Sequence, residues 1–374
     1  VYKRQLLGRP FEVYHYPVWP GTEKWILNPS ATTKNVVLAQ TGPCPSQGLN
    51  QWLTTSYYDL TVAGEIIEGL AIRNDTEGKK MLPGLAESWE VASDQKTWTV
   101  NLRHGVKWHD GVEFKAEDVK FSYEAAMAEE LASPVGAFVT QVLGSSDNIE
   151  IVDDYTVKFK LPTVYAYFVE NILAAPGYGY MVPKHVLADV PYAEWRSHLY
   201  NMPNGADSYV VDTPNGPYTA WGPIGTGPYV YAAYDPTTFT NILTKNEDYW
   251  NKQSLEADGL FQVEQYYVQY IQGSDAGIAA LKAGTVDILD SQYHLETKLD
   301  SIVSPWGDYV SYEAFGVQML TFNLQHPIFG TGVDTPLGKR DPSKAAEAAR
   351  YVRLAMSHLI PRQQIIDQLL AGYG

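Results

Sequence analysis

Carboxylates stand in adjacent pairs at Glu129-Glu130 and at Asp153-Asp154, the residue type that general acid-base chemistry uses. Neighbouring side chains on a strand point to opposite faces, so such a pair does not converge on one bond. The run Gly225-Thr226-Gly227-Pro228-Tyr229 invites comparison with a phosphate loop, but no lysine follows it and the next stretch reads as a strand. Asp207 and Asp212 lie in a polar segment without the ligand spacing of a calcium loop. The 8 histidines are scattered, with no close pair on a helix, so no metal site built by the protein is evident. Cys44 is the single cysteine, which excludes an intrachain disulfide. No positive partner stands near it in sequence to activate its thiol. No GxSxG elbow, HExxH pair or Walker loop occurs. The residue types favour binding over catalysis, and no nucleotide or other cofactor is implied; a secreted hydrolase with an aromatic cleft is the distant alternative.

What must position any site is a large globular chain. It has 374 residues with 45% hydrophobic content, enough for two or three domains with sizeable cores. The net charge of −16 repels phosphate backbones and argues against nucleic acid as a partner. No apolar run reaches the ~20 residues of a membrane span. Cys44 lies too deep, with no apolar region before it, to be a lipid-attached cysteine. The chain opens at Val1 without a signal peptide and closes at Gly374 just after a helical pattern, and it reads as a fragment.

The most informative stretch is Leu85 to Tyr123. Trp98, Val100 and Leu102 alternate with polar neighbours, which predicts a half-buried strand. Val106 and Trp108 predict a short second strand, Asp110-Gly111 a tight turn, and Ala116-Glu117-Asp118 the acidic start of a helix running to Leu131. Trp89, Trp98 and Trp108 read as core aromatics, and His104 and His109, beside turns, as solvated. Elsewhere, Asn35–Gln40 is a short apolar strand. Leu60, Ala63, Ile66, Ile67 and Leu70 recur at helical spacing within Trp52–Leu70. Ile149 to Leu161 reads as a hairpin turning at Asp153-Asp154, and Ala166–Leu173 as an apolar helix. Tyr192–Trp221 is a long polar and aromatic loop. A hairpin over 229–245, a strand at 263–271, a helix over Ala276–Ala283 stopped by Gly284, and a strand at Val286–Leu289 follow. Tyr309–Asn323 predicts two strands and Ala345–His358 a helix. Ile365, Ile366, Leu369 and Leu370 form one apolar helical face, read as core.

The stretch from Leu85 resembles the signature of extracellular solute-binding proteins of ABC transporters, family 5, the group with oligopeptide-, dipeptide- and nickel-binding members. Leu85-Ala86-Glu87-Ser88-Trp89, Trp98-Thr99-Val100-Asn101-Leu102-Arg103, Val106-Lys107-Trp108-His109-Asp110-Gly111 and Ala116-Glu117-Asp118-Val119 match in order and spacing. Glu68-Gly69-Leu70, Gly225-Thr226-Gly227-Pro228-Tyr229, Asn246-Glu247-Asp248-Tyr249-Trp250, Ala280–Ile288 and Val352–Met356 are further landmarks, and the resemblance covers about Asn35 to Gly374. Lys115 departs from the family's Thr or Ser at the helix N-cap, and Pro361 stands where the family has the Asp of an Asp-Arg pair.

The resemblance implies a mixed α/β, periplasmic-binding-protein-like fold of two lobes with an inserted small domain. Carried onto this chain, residues 1–27 are an extension, 28–60 and 180–289 the first lobe, 61–179 the inserted domain, and 290–374 the truncated start of the second lobe. Hinge closure on a ligand follows from that fold. The residues implied to line the cleft are Thr54, Thr55, Ser56 and Tyr57; Trp221, Gly225 and Thr226; and Asp290, Ser291 and Gln292, with Met319 and Thr321 as further candidates. Val135 stands where peptide binders have a ligand-contacting tyrosine. The implied ligand is a peptide, held by strand-like backbone bonds. An oligosaccharide stacked on some of the 27 Tyr and 10 Trp is the alternative. The implied partners are membrane-bound ABC permease subunits, the implied state is a monomer, and the implied location is the periplasm or the extracellular face of the membrane.

Overall fold

The computed structural model describes residues 5–6, 9–10, 34–74, 80–175, 178–257, 261–295, 297–298, 302 and 321–369. The chain packs as two units, Val1–Tyr293 and His294–Gly374. The first is built on a five-stranded sheet. Its spatial order is Tyr229–Asp235, Thr240–Lys245, Gln265–Tyr270, Asn35–Gln40 and Ile288–Leu289. The first three strands run antiparallel, and the last three run parallel to one another. Asn35–Gln40 takes an inner position because Val36 and Leu38 are buried on one face and Ala39 on the other. Its partner Ile288–Leu289 is registered by Asp287, whose carboxylate accepts from Val37 N–H at 2.8 Å. The Ser274–Ala283 helix ends as the sequence predicts, with Gly284 at φ +71°, a left-handed turn that suits glycine.

The stretch from Leu85 supplies two strands, Ala86–Val91 and Thr97–Leu102, of a four-stranded antiparallel sheet completed by Thr156–Lys160 and Ile149–Asp153. Val100, Leu102, Val157 and Phe159 face a core shared with the Ala116–Met127 helix. Tyr123 on that helix meets Phe159 edge-on at 5.7 Å. Lys115 gives its helix no side-chain cap, and Asp118 compensates: its carboxylate accepts from the Lys115 N–H at 3.0 Å. The Lys115 ammonium pairs instead with Asp154 in the hairpin turn.

Several expected elements are shorter than their periodicity. The helix within Trp52–Leu70 spans only Tyr57–Ala63. Beyond it the carbonyls of Glu65 and Ile66 accept from Tyr229 and Gly227 N–H, which holds them outside a helix although Ile66, Ile67 and Leu70 are buried as expected. Val106 and Trp108 flank a single bridge, Lys107 with Glu113, rather than a strand. The helix from Ala116 stops at Met127 and resumes as one 3-10 turn, Glu129–Leu131. Within Ala166–Leu173 only Val169–Leu173 is helical, in a π-turn. The long loop Tyr192–Trp221 contains a hairpin, Tyr209–Thr213 with Gly216–Ala220, turning at Pro214-Asn215. The two strands expected over Tyr309–Asn323 fall mostly outside the described residues.

In the second unit, the Pro336–Arg340, Ala345–Leu359 and Arg362–Leu369 helices are described. Thr335 caps the first, accepting from Gly338 N–H at 2.9 Å. Ala345, Ala348 and Ala349 are buried, while Tyr351, Leu354 and Leu359 are exposed. Ile365 and Ile366, read as core, are half-buried; Leu369 and Leu370 lie outside the side chains described.

Phe159 is fully buried, in contact with Tyr123 and with Phe168 at 5.3 Å. Phe159→Ala is expected to cost about 3–5 kcal/mol, read as a lower urea midpoint at unchanged slope; a loss below 1 kcal/mol would contradict this core.

Candidate functional site

The carboxyl ends of the parallel strands Gln265–Tyr270, Asn35–Gln40 and Ile288–Leu289 lie at one end of the sheet, where open α/β sheets present ligand crevices. Two of the expected groups meet there. Asp290 follows the edge strand, its N–H donating to Ala39 O at 3.1 Å and its carboxylate accepting from Gln292 N–H at 3.0 Å. Ser291 is exposed, and its hydroxyl stands 3.5 Å from the phenol of Tyr57. Tyr57 itself is 47% exposed, with its ring edge-on to Tyr58 at 5.9 Å.

The segment before Tyr57 owes its path to Asp59. That carboxylate is fully buried and accepts from the N–H groups of Ser46, Gln47 and Gly48 at 2.7, 2.7 and 3.1 Å. The hydroxyls of Ser46 and Thr54 donate to it as well, each at 3.0 Å. Thr54 is thereby a buried strut whose oxygen also accepts from Ser56 N–H. Thr55 is exposed, its N–H bonded to the Gln47 side chain. Ser56 caps the Tyr57–Ala63 helix. Of the four, Thr54 faces inward, and Thr55, Ser56 and Tyr57 keep accessible surface.

Trp221 is 39% exposed but elsewhere, over a shallow hollow beside Ala232, Ala233 and Tyr234 of the opposite edge strand. Four strand spacings separate the two edges, about 19 Å. Gly225 and Thr226 are buried. A Cβ on Gly225 would sit 1.8 Å from Ile66 O, so only glycine fits there. Gln292 is half-buried next to Asp290. Met319 lies outside the described residues, and Thr321 is an exposed residue of the second unit.

Beneath the site is a junction that sequence reasoning missed. His109 is half-buried and bonded rather than solvated. Its backbone N–H donates to Gly225 O at 2.9 Å, its Nδ1 lies 3.3 Å from Gly225 N, and its Nε2 lies 3.0 Å from Gly227 O. Burial depresses its pKa to about 4. Glu68 is buried, accepting from Tyr249 Oη at 2.8 Å and Trp250 Nε1 at 3.0 Å. Arg103 stacks on Trp250 at 4.3 Å. Burial raises Glu68 to about 7, outweighing those bonds, and raises Glu65 to about 8. Tyr266, held high by burial and then by the Glu65 charge, also senses Tyr57 and Asp290. Asp59 was not singled out in the sequence, although Ser56 followed three residues later by an acid is a helix-start signature that could have found it; no local signal marks His109 or Tyr266.

The carboxylate pairs considered for catalysis lie at the surface. Glu129 and Glu130 are exposed. Asp153 accepts from Tyr155 N–H across its turn, and Asp207 from Asn204. Cys44 is buried, and burial pushes its thiol pKa up. Among the described residues no group of three His, Cys, Asp or Glu side chains converges to hold a metal ion, and no helix is long and apolar enough to cross a membrane.

Residues 80–374 match the bacterial extracellular solute-binding proteins, family 5 Middle. The chain belongs to the family 5 solute-binding proteins. Di/tripeptide-binding protein 1 of Pseudomonas aeruginosa (strain UCBPP-PA14) is 28% identical over 362 residues, covering 92% of this chain and 58% of that protein. The periplasmic alpha-galactoside-binding protein of Rhizobium meliloti (strain 1021) is 25% identical over 308 residues, 80% of this chain and 41% of that protein. The chain thus spans roughly half the length of these family 5 relatives. Among solved structures, the ABC transporter-associated periplasmic binding protein DppA from Helicobacter pylori, in complex with peptide STSA, superposes with a TM-score of 0.55 at 23% identity, covering 72% of this chain and 49% of that one. That likeness establishes the mixed α/β, periplasmic-binding-protein-like fold that the sequence motifs implied.

Two outcomes test the site's supports. Asp59→Ala leaves three N–H groups and two hydroxyls without their acceptor, so a loss of about 3 kcal/mol or more is expected, with faster amide exchange at Ser46, Gln47 and Gly48; unchanged exchange would refute the clamp. Glu68 holds a folded pKa of about 7 against an ordinary 4.5. The folded state therefore keeps its proton longer, and the stability this gives is full below pH 4.5 and lost as pH rises through 7. Glu68→Gln should remove that loss, up to about 3 kcal/mol at pH 8 relative to pH 4.5. Parallel pH profiles for the two proteins would show the assignment to be wrong. His109, with a folded value near 4, contributes oppositely, full above pH 6.5 and lost as pH falls through 4, and is common to both proteins.

Proposed function

We propose that this chain is the ligand-capturing part of an ABC importer's substrate receptor, and that its ligand is a peptide. The observation that carries the reading is Tyr57, Ser291 and Asp290 meeting at the carboxyl end of the parallel strands, in a chain of the family 5 solute-binding proteins. Residues 28–60 and 180–289 form the first lobe in this reading, 61–179 the inserted domain, and 290–374 belong to the second lobe. The peptide-binding relative supports the ligand class. Thr55, Ser56, Tyr57, Asp290, Ser291 and Gln292 present side chains or backbone to an extended chain, with specificity left to side-chain pockets. Trp221 contributes at the far edge. Gly225 and Thr226 act from beneath, by setting the backbone. The receptor works as a monomer at the periplasmic or extracellular membrane face, hands its ligand to permease subunits, and performs no chemistry on it.

An oligosaccharide is the second reading, favoured by the alpha-galactoside-binding relative and by the exposed rings of Tyr57 and Trp221.

Calorimetric titration with trialanine and, separately, with raffinose separates the two. Trialanine should bind, and Tyr57→Ala should weaken it roughly tenfold, about 1.4 kcal/mol, at unchanged melting temperature. Raffinose binding with no response to trialanine would sink the peptide reading.

A further inference from the structure

The imidazole of His109 is fixed by two backbone groups of one loop, and those groups have opposite hydrogen-bonding character. Gly225 offers an N–H, which needs an acceptor, so Nδ1 carries no proton. Gly227 offers a carbonyl, which can only accept and also takes Asn246 Nδ2 at 3.0 Å, so Nε2 at 3.0 Å from it carries a proton. A doubly protonated ring would set Nδ1–H against the Gly225 N–H. The same loop reaches onward: Gly227 N–H donates to Ile66 O at 2.8 Å and Tyr229 N–H to Glu65 O at 3.1 Å. Those two carbonyls belong to the turn just after the helix that begins with Tyr57.

We propose that His109 is a positioning residue: as the neutral ring protonated on Nε2, it ties the Trp108–Gly111 turn to the Gly225–Gly227 loop and, through Ile66 and Glu65, sets the placement of the helix that carries Tyr57. The link to ligand rests on the function proposed above; the tie itself does not. Sequence reading assigned His109 to solvent, and Gly225 and Thr226 to direct contact with ligand. The geometry gives the histidine the supporting role and leaves the buried loop as its intermediary.

Other ionisable groups surround this tie. On the same turn Asp110 is buried, and its carboxylate pairs with His185 Nε2 at 2.6 Å, which fixes a second point of the turn to the Lys184–Leu187 helix. The phenols of Tyr209 and Tyr218, from the hairpin, sense the charge of Asp110. Glu65 and Glu68 approach from the segment after the Tyr57–Ala63 helix, Glu68 by way of Thr226. Asp110 favours a charged His109, whereas burial disfavours it more strongly. The neutral ring is therefore the form that persists at neutral pH.

The test needs no ligand at first. Nitrogen-detected NMR of the unmodified chain should show the His109 ring protonated on Nε2 alone, unchanged from pH 7 to pH 5; a ring that titrates near the ordinary 6.5 overturns the proposal. His109→Phe keeps the ring and removes both bonds. Amide exchange should then accelerate at least tenfold at Gly225, Gly227 and Tyr229, and stay unchanged at Leu102 and Leu161 in the four-stranded sheet. Acceleration everywhere, or nowhere, overturns it. His109→Asn, whose Oδ1 stands where Nδ1 stood, should recover protection at Gly225 only. If trialanine binds the unmodified protein, His109→Phe should also weaken it about tenfold; unchanged affinity overturns the link to Tyr57. If trialanine does not bind, the function proposed above fails and the exchange results still judge the tie.

Discussion

One buried carboxylate governs the best-defined part of the site. Asp59 sits in the first turn of a seven-residue helix and gathers three backbone N–H groups and two hydroxyls from the preceding loop. A carboxylate removed from water is tolerated only when its oxygens are fully engaged, and here the loop folds around it to supply the donors. The path of residues 46–54 follows from that requirement. So does the direction in which the chain arrives at Ser56 and presents Tyr57. Gly48 completes the arrangement, since a side chain there would meet Asn201, whose carbonyl and amide oxygens accept from Leu49 and Asn50 N–H. The loop is thus fastened from its own helix on one side and from a segment 150 residues later on the other.

A second set of contacts joins stretches that are distant in sequence. The Glu65–Glu68 segment, the His109 turn, the Gly225–Gly227 loop and the Tyr249-Trp250 pair meet in one buried junction. Each corresponds to a motif that marks the family in sequence. Their positions in space show how these residue types fit one another: glycines where backbones approach, a histidine matched to one donor and one acceptor, and a glutamate satisfied by a phenol and an indole.

The elements with strong two-residue alternation or a clear stop signal were legible in the sequence, as in Thr97–Leu102, the Ile149–Lys160 hairpin and the helix ending at Gly284. The Trp52–Leu70 pattern misled because burial at helical spacing does not require a helix: Ile66 and Ile67 reach the core from a turn whose carbonyls are recruited by another loop. The hairpin at Tyr209–Ala220 was hidden because its burial does not follow hydrophobicity: Val210 is exposed and Pro217 interrupts the second strand. At the candidate site, Tyr57 and Asp290 are put forward only by the family resemblance. The depth of Gly225 and Thr226, and the bonds of His109, depend on contacts across more than 100 residues of chain, for which local pattern carries no signal.

The central claim is that this fold captures small peptides without altering them. The most direct measurement is native mass spectrometry of the protein purified from its natural source without denaturation. The account predicts a family of bound masses that resolve, on release, into intact short peptides. A ladder spaced by hexose units would contradict it, and would assign the exposed rings of Tyr57 and Trp221 to sugar instead.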